Sequence, residues 1–241
     1  RADWYVWADP KRDGSPPNNW QSVFGGPAWT WDARRGQYYM HTFLKEQPQL
    51  NVHNLEVQDA LLAVARFWLD RGVDGFRLDS INFPYHDAQL RDNPAKPPAL
   101  RTGRGFSPDN PYAFQYHYYN NTQPENLGLL EDVRALLDRY PDAGALGEIS
   151  SEDSLATTAE YCNERRLHMG YSFELLTEES SPAYIRATVE ALEAKMTEGW
   201  PCWAISNHDV QRAVTRWGRD AHGDIATDAK MAEVLAAPPR A

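Results

Sequence analysis

From residue 54 to residue 207 the chain alternates helical-period segments with short apolar runs, and that rhythm constrains the fold more than any other feature. Residues 54–71 place Leu55, Leu61, Leu62, Ala65, Trp68 and Leu69 on one helical face, with Gly72 as a stop. GVDGFRLDS (72–80) then reads as a buried strand. The pattern repeats as a helix at 124–140, with Leu127, Leu130, Val133, Leu136 and Leu137 on its apolar side, and a strand, AGALGE, ending at Glu148. A helix at about 152–166 leads to GYSFELL (170–176), and a helix at about 182–198 leads to WPCWAIS, a fourth strand ending at Asn207. A last helix is expected at roughly 226–236. Helices alternating with short buried strands imply a parallel α/β architecture.

An open doubly wound sheet and a barrel both satisfy this pattern. The glycine fingerprint of dinucleotide binding is missing. The polar residues decide the matter, because Asp79, Glu148, and His208 with Asp209 fall at the C-terminal ends of three different strands. Catalytic residues drawn from several strand ends are the habit of the (β/α)8 TIM barrel.

Side chains alternate along a strand, so Arg77 and Asp79 share one face while Phe76 and Leu78 share the other and face the helices. A guanidinium beside a carboxylate holds it ionised and oriented, as a nucleophilic Asp requires; an inert Arg–Asp pair is the competing reading. Glu148 follows Gly144 and Gly147, which leave room for its carboxyl to reach a cavity. Glu152 and Asp153 read instead as ordinary acids at a helix N-terminus. SNHDVQR (206–212) brings His208 and Asp209 toward the same place. Three carboxylates and a histidine facing one space are costly unless a ligand or chemistry uses them. Glycoside hydrolysis needs two carboxyl groups, one nucleophile and one proton donor, and retention needs them about 5–5.5 Å apart. The roles that follow are Asp79 as nucleophile and Glu148 as acid/base, acting by double displacement.

The remaining signals mostly exclude. With 24 Lys and Arg against 34 Asp and Glu, the net charge of −10 disfavours nucleic acid or an anionic membrane surface as main partner. No apolar stretch reaches the length of a membrane span, and no signal peptide opens the chain. Two cysteines, Cys162 and Cys202, exclude a disulfide scaffold by their number, argue against a zinc site, and read as buried thiols. Residues 1–50 are rich in Gly, Pro, Asn and Trp, with short strands such as GQYYMHTF between turns. Five tryptophans in the first 31 residues (Trp4, Trp7, Trp20, Trp29 and Trp31) read as a small aromatic core rather than as stacking platforms for sugars. Residues 84–123 form a long Pro-, Asn- and Tyr-rich loop, whose aromatic content points to an ordered lid.

At the catalytic candidates the chain resembles the α-amylase family, glycoside hydrolase family 13. GFRLDS is similar to that family's second conserved region, with Asp79 as nucleophile and Arg77 as its partner; GEIS is similar to the third, with Glu148 as acid/base. SNHDVQR resembles the fourth, which implies substrate binding by His208 and Arg212 and transition-state stabilisation by Asp209. QPQLN (47–51) resembles a segment near the end of the family's inserted domain B, with Gln49 where the usual member has Asp. Residues 7–32 are similar to domain B of bacterial α-glucosidases and oligo-1,6-glucosidases, which implies that Phe24 lines a glucose pocket.

The resemblance implies residues 1–52 as the end of domain B and residues 53–241 as a truncated barrel, about strands four to seven. The first conserved region has no counterpart, so the chain reads as the middle of an enzyme. The implied activity is release of glucose from short α-glucosides, with Ser80 after the nucleophile leaning toward α-1,4 bonds. A transglucosidase or a sucrose- or trehalose-type isomerase is the alternative, and a non-catalytic sugar-binding relative a weaker one. No cofactor is needed for the chemistry; a structural calcium or magnesium stays open, because the family's usual site lies in its N-terminal strands, and no metal site is assigned here. The expected compartment is the cytoplasm, with the periplasm as alternative, and the sequence carries no signal of oligomeric state.

Overall fold

The computed structural model describes residues 1–101 and 109–218, so the helix expected at 226–236 lies outside the described residues. Its larger part is a parallel sheet of β4 (Gly75–Leu78), β5 (Gly144–Ile149), β6 (Met169–Ser172) and β7 (Trp200–Pro201), hydrogen-bonded in that order. α1 (Leu55–Leu69) precedes β4, and α2 (Asn126–Leu137), α3 (Ser154–Tyr161) and α4 (Pro182–Lys195) fill the successive crossovers. Each crossover advances one strand in the same direction, and α5 (Ala213–Trp217) follows β7. The sequence expectation of a parallel α/β sheet is met. Among the described residues no helix is long and apolar enough to cross a membrane.

Local chemistry starts the helices where the sequence suggested. The Asn54 side chain accepts the Glu56 N–H at the head of α1, Asp153 accepts from Ala156 N–H for α3, and Ser181 accepts from Tyr184 N–H for α4. The core beneath the sheet joins Leu69, Ile81, Leu130, Leu136, Leu137, Ala145, Ile149, Tyr161, Cys162 and Leu167, with Phe76 and Leu78 packed against it. The Phe76 and Leu78 face therefore meets the helices, as alternation requires.

Four element readings are corrected. On α1, Leu62, Ala65 and Leu69 turn inward with Val57, but Leu55, Leu61 and Trp68 are exposed, because no described element covers that side. α3 stops at Tyr161, since Leu167 N–H returns to the Tyr161 carbonyl and Cys162 bridges to Leu167. GYSFELL is a strand only to Ser172; Leu176 N–H closes on the Phe173 carbonyl and 174–176 is a 3-10 turn. A short apolar run reads alike as a buried strand or a buried turn. Among the described residues WPCWAIS pairs at Trp200–Pro201, with the Cys202 N–H bond to the Gly170 carbonyl, and the rest of the run is irregular. Cys202 is also only half-buried, whereas Cys162 is buried, and both are free.

β4 and β5 leave no room for a side chain at Gly75, whose φ is +156° and whose added Cβ would lie 2.1 Å from the Gly144 carbonyl oxygen. Neither backbone can give way without breaking the ladder. Gly75→Ala is expected to destabilise the complete protein by about 3 kcal/mol or more, from backbone strain and overpacking together. Urea unfolding measures this, and an unchanged midpoint would show that the two strands separate freely there.

Residues 1–50 contain an antiparallel sheet of β1 (Trp7–Ala8), β3 (Gln37–Met40) and β2 (Trp29–Asp32), in that spatial order. Trp20 and Trp29 stack at 6.0 Å inside a cluster with Val6, Ala8, Ala28 and Met40, so the aromatic-core reading holds for them. The 84–123 loop is stitched to this sheet: Trp20 Nε1 donates to the Arg91 carbonyl, and Asn19 exchanges side-chain hydrogen bonds with Asn93 backbone. Its other edge is tied to the parallel sheet by Asn82, which bonds Thr122 and both backbone groups of Ser150. A Lys96–Glu152 ion pair at 2.7 Å adds a second tie.

Candidate active site

β4 ends at Leu78 and the chain turns sharply at Ser80, a non-glycine residue with φ +44°. Such backbone is sparsely populated and persists only where its surroundings fix it. Here the Ser80 N–H donates to Glu148 Oε2 at 3.2 Å, and the Ile81 N–H donates to the Glu148 carbonyl. The turn puts Asp79 beside the end of β5, where Glu148 is buried.

One guanidinium spans the two carboxylates. Arg77 Nη1 donates to Asp79 Oδ1 at 2.6 Å, and Arg77 Nη2 donates to Glu148 Oε1 at 2.6 Å. Arg77 Nη2 also donates to the Tyr171 hydroxyl at 3.0 Å, and that hydroxyl donates to Glu148 Oε1 at 2.5 Å. Burial works against the Arg77 charge, but the hydrogen bonds to Asp79 and Tyr171 and the Glu148 charge outweigh it and hold its pKa above the ordinary value. Burial first, and then the Glu148 carboxylate, push the Tyr171 phenol up to about 12. Tyr171 is therefore a stable proton donor at neutral pH.

A cleft of about 260 Å³ opens in front of these groups. Five of the residues picked from sequence line it: Phe24, Asp79, Glu148, His208 and Asp209. Ser80, Ser150, Tyr112 and Phe173 line it too, and Phe24, Phe43 and Phe83 form an aromatic wall with successive ring separations of 5.7 and 5.5 Å. Aromatic planes suit the C–H faces of sugar rings. None of the five N-terminal tryptophans lines the cleft.

His208 and Asp209 arrive differently from the expectation that a strand end presents them. They stand in a turn well beyond β7, built by Asn207, whose side-chain oxygen accepts the N–H groups of Asp209 and Val210. His208 Nε2 and Asp209 Oδ1 lie 3.4 Å apart. The segment is anchored by Arg216, 3% exposed, which donates to the carbonyls of Ile205, Gln211, Leu175 and Thr177. Arg77 and Arg212 are not among the lining residues: Arg77 contacts two that are, while Arg212 is exposed and donates to the Asn207 carbonyl. Gln49, where Asp was expected from the resemblance, accepts from Thr42 and donates to the Phe83 carbonyl, which makes it a tie between segments. Among the described residues no group of three or more His, Cys, Asp or Glu is placed to hold a metal ion.

Sequence reasoning missed Tyr171, Arg216 and Asn82. Tyr171 pairs with Glu148 in the parallel register, so both project to the same face. That register is a property of the folded sheet.

Comparison with known proteins agrees with the site. Residues 1–238 match the family model described as alpha amylase, catalytic domain. A "Probable alpha-glucosidase" of Rhizobium meliloti (strain 1021) is 50% identical over 233 residues, covering 93% of this chain and 42% of that protein. Among solved structures, an "alpha-glucosyl transfer enzyme, XgtA" superposes with TM-score 0.89 at 73% identity, covering 92% of this chain and 42% of that one. An isomaltulose synthase from Erwinia rhapontici NX5 superposes with TM-score 0.73 at 29% identity, covering 89% of this chain and 38% of that one. The chain thus spans about two fifths of the length of the proteins it matches. On the match over residues 1–238, the chain belongs to the α-amylase family, glycoside hydrolase family 13.

Proposed function

We propose that the protein carrying this chain is a retaining α-glucosidase that releases glucose from short α-glucosides, with α-1,4 bonds preferred. The observation that carries the reading is the single Arg77 guanidinium holding Asp79 and Glu148 together at the ends of adjacent parallel strands, facing a cleft shared with His208 and Asp209. The parallel sheet is then about strands four to seven of a (β/α)8 barrel, and residues 1–52 are the end of an inserted domain B.

In the first step the Asp79 carboxylate attacks the anomeric carbon, the glycosidic C–O bond breaks, and the Glu148 proton passes to the departing oxygen. In the second, Glu148 takes a proton from water, whose oxygen displaces Asp79 from the anomeric carbon with net retention. Asp209 stabilises the oxocarbenium-like charge between the two, and His208 hydrogen-bonds sugar hydroxyls. Arg77 keeps Asp79 ionised and aimed. Phe24 and its aromatic neighbours hold the ring, and no cofactor takes part.

A second reading has its own support. The 73%-identical protein is an α-glucosyl transfer enzyme, and the 29%-identical one an isomaltulose synthase. Transfer uses the same carboxylates and replaces water by a sugar or other hydroxyl in the second step. Both readings predict that the glucosyl unit taken from p-nitrophenyl α-glucoside first appears as the α-anomer, free or transferred, by NMR of the complete protein's reaction within the first turnovers. β-Glucose appearing first would sink both. Adding a hydroxylic acceptor separates them, since a transferase diverts most glucosyl units to it and a hydrolase does not. Faster turnover of isomaltose than of maltose would overturn the α-1,4 preference.

A further inference from the structure

We propose that Tyr171 is a positioning residue for the acid/base carboxylate, and that it assigns the transferred proton to one oxygen, Glu148 Oε2. The inference rests on reading Glu148 as the acid/base.

A carboxylate oxygen accepts through two lone pairs. Glu148 Oε1 has both committed: Arg77 Nη2 donates at 2.6 Å and the Tyr171 hydroxyl at 2.5 Å. Among the described residues Oε2 accepts only the Ser80 N–H, at 3.2 Å, and keeps one lone pair. The proton that leaves with the glycosidic oxygen, and the one later taken from water, is therefore carried on Oε2. Tyr171 makes this assignment because its hydroxyl closes the last acceptor position of Oε1. Its ring is held by packing with Phe173, Leu176, Leu146 and Val210, so the hydroxyl has a fixed address.

Charge balance gives the second half of the role. Hydrogen bonds to the ionised form favour it. Tyr171 stabilises the carboxylate that appears as the proton departs, and so makes Glu148 a stronger acid toward poor leaving groups. Among the described residues the other titratable or charged groups facing this pair are Arg77 and Asp79 from β4, His208 and Asp209 from the turn after β7, and the Cys202 thiol, which burial pushes up. All of them are unchanged when Tyr171 alone is altered.

Tyr171→Phe in the complete protein keeps the ring and removes the donor. The alkaline limb of kcat/KM against pH is expected to move up by about one pH unit, the equivalent of one hydrogen bond to a charged group. The loss on maltose is expected to be about tenfold and larger than the loss on p-nitrophenyl α-glucoside, whose leaving group needs little protonation. Incorporating 3-fluorotyrosine at 171, a stronger donor of nearly the same shape, should move the limb down. A purely structural role would lower both substrates equally and leave the limb in place, and that result would overturn the proposal. Glu148→Gln separates the premises: if it retains full activity the acid/base reading fails, whereas an inactive Glu148→Gln with an unmoved Tyr171→Phe profile removes only the role of Tyr171.

Discussion

Asp79→Asn is expected to lower kcat on maltose by about 10⁴-fold or more while leaving sugar binding within a few-fold, because an amide cannot form or stabilise the glucosyl ester. The side chain is exposed and holds its position through Arg77 Nη1 at 2.6 Å, with no buried packing to lose. An amide oxygen can still accept that bond. Folding stability should therefore change little, and the measurement is clean: initial rates by coupled glucose assay, binding by calorimetry, unfolding by denaturant. Retained turnover would mean that the nucleophile is another group. The structure offers Asp209 in the same cleft as the competitor, and Asp209→Asn made in parallel decides between them.

Arg77→Ala is expected to be nearly as damaging, and for a different reason. It removes the one cation that, among the described residues, contacts both Asp79 and Glu148, along with the bond to the Tyr171 hydroxyl. Among the described residues Glu148, 3% exposed, would then keep only Tyr171 and the Ser80 N–H as donors. Removing one partner of a buried pair typically costs about 3–5 kcal/mol, and about 3 is expected here because the Arg77 side chain is 36% exposed and partly screened. Activity should fall by about 10³-fold, since both carboxylates lose their aim and Asp79 its counter-charge. Arg77→Lys should recover stability better than rate. A lysine supplies the charge but a single point of donation, whereas the observed geometry uses two nitrogens directed at three acceptors. The denaturation midpoint of the complete protein and kcat/KM, measured on both variants, test this. Equal activity in the lysine variant would show that charge alone, without the planar fork, organises the site.

Both results bear on how far the site can be read from residue order. GFRLDS placed Arg77 and Asp79 on one face because strand alternation is a local rule, and the structure keeps them in contact. The apolar spacing of 124–140 likewise predicted the buried Leu130, Leu136 and Leu137. Where the rules are local but ambiguous, the reading erred. GYSFELL is half strand and half turn, and WPCWAIS is mostly irregular, because apolar content alone does not say where a ladder stops.

The sequence by itself determined the helix–strand rhythm, the acidic and aromatic residues available, and the pairing of Arg77 with Asp79. Each of these depends on spacings of a few residues, which backbone periodicity fixes without reference to the rest of the chain. Only the tertiary structure decided that Arg77 also reaches Glu148, that Tyr171 lies in register with Glu148, and that Phe24 and the Asn207 turn close on the same cleft. The partners in these contacts are separated by tens of residues or more. Their meeting depends on the order of strands in the sheet, the left-handed turn at Ser80 and the anchoring of the last segment by Arg216, none of which a local rule contains.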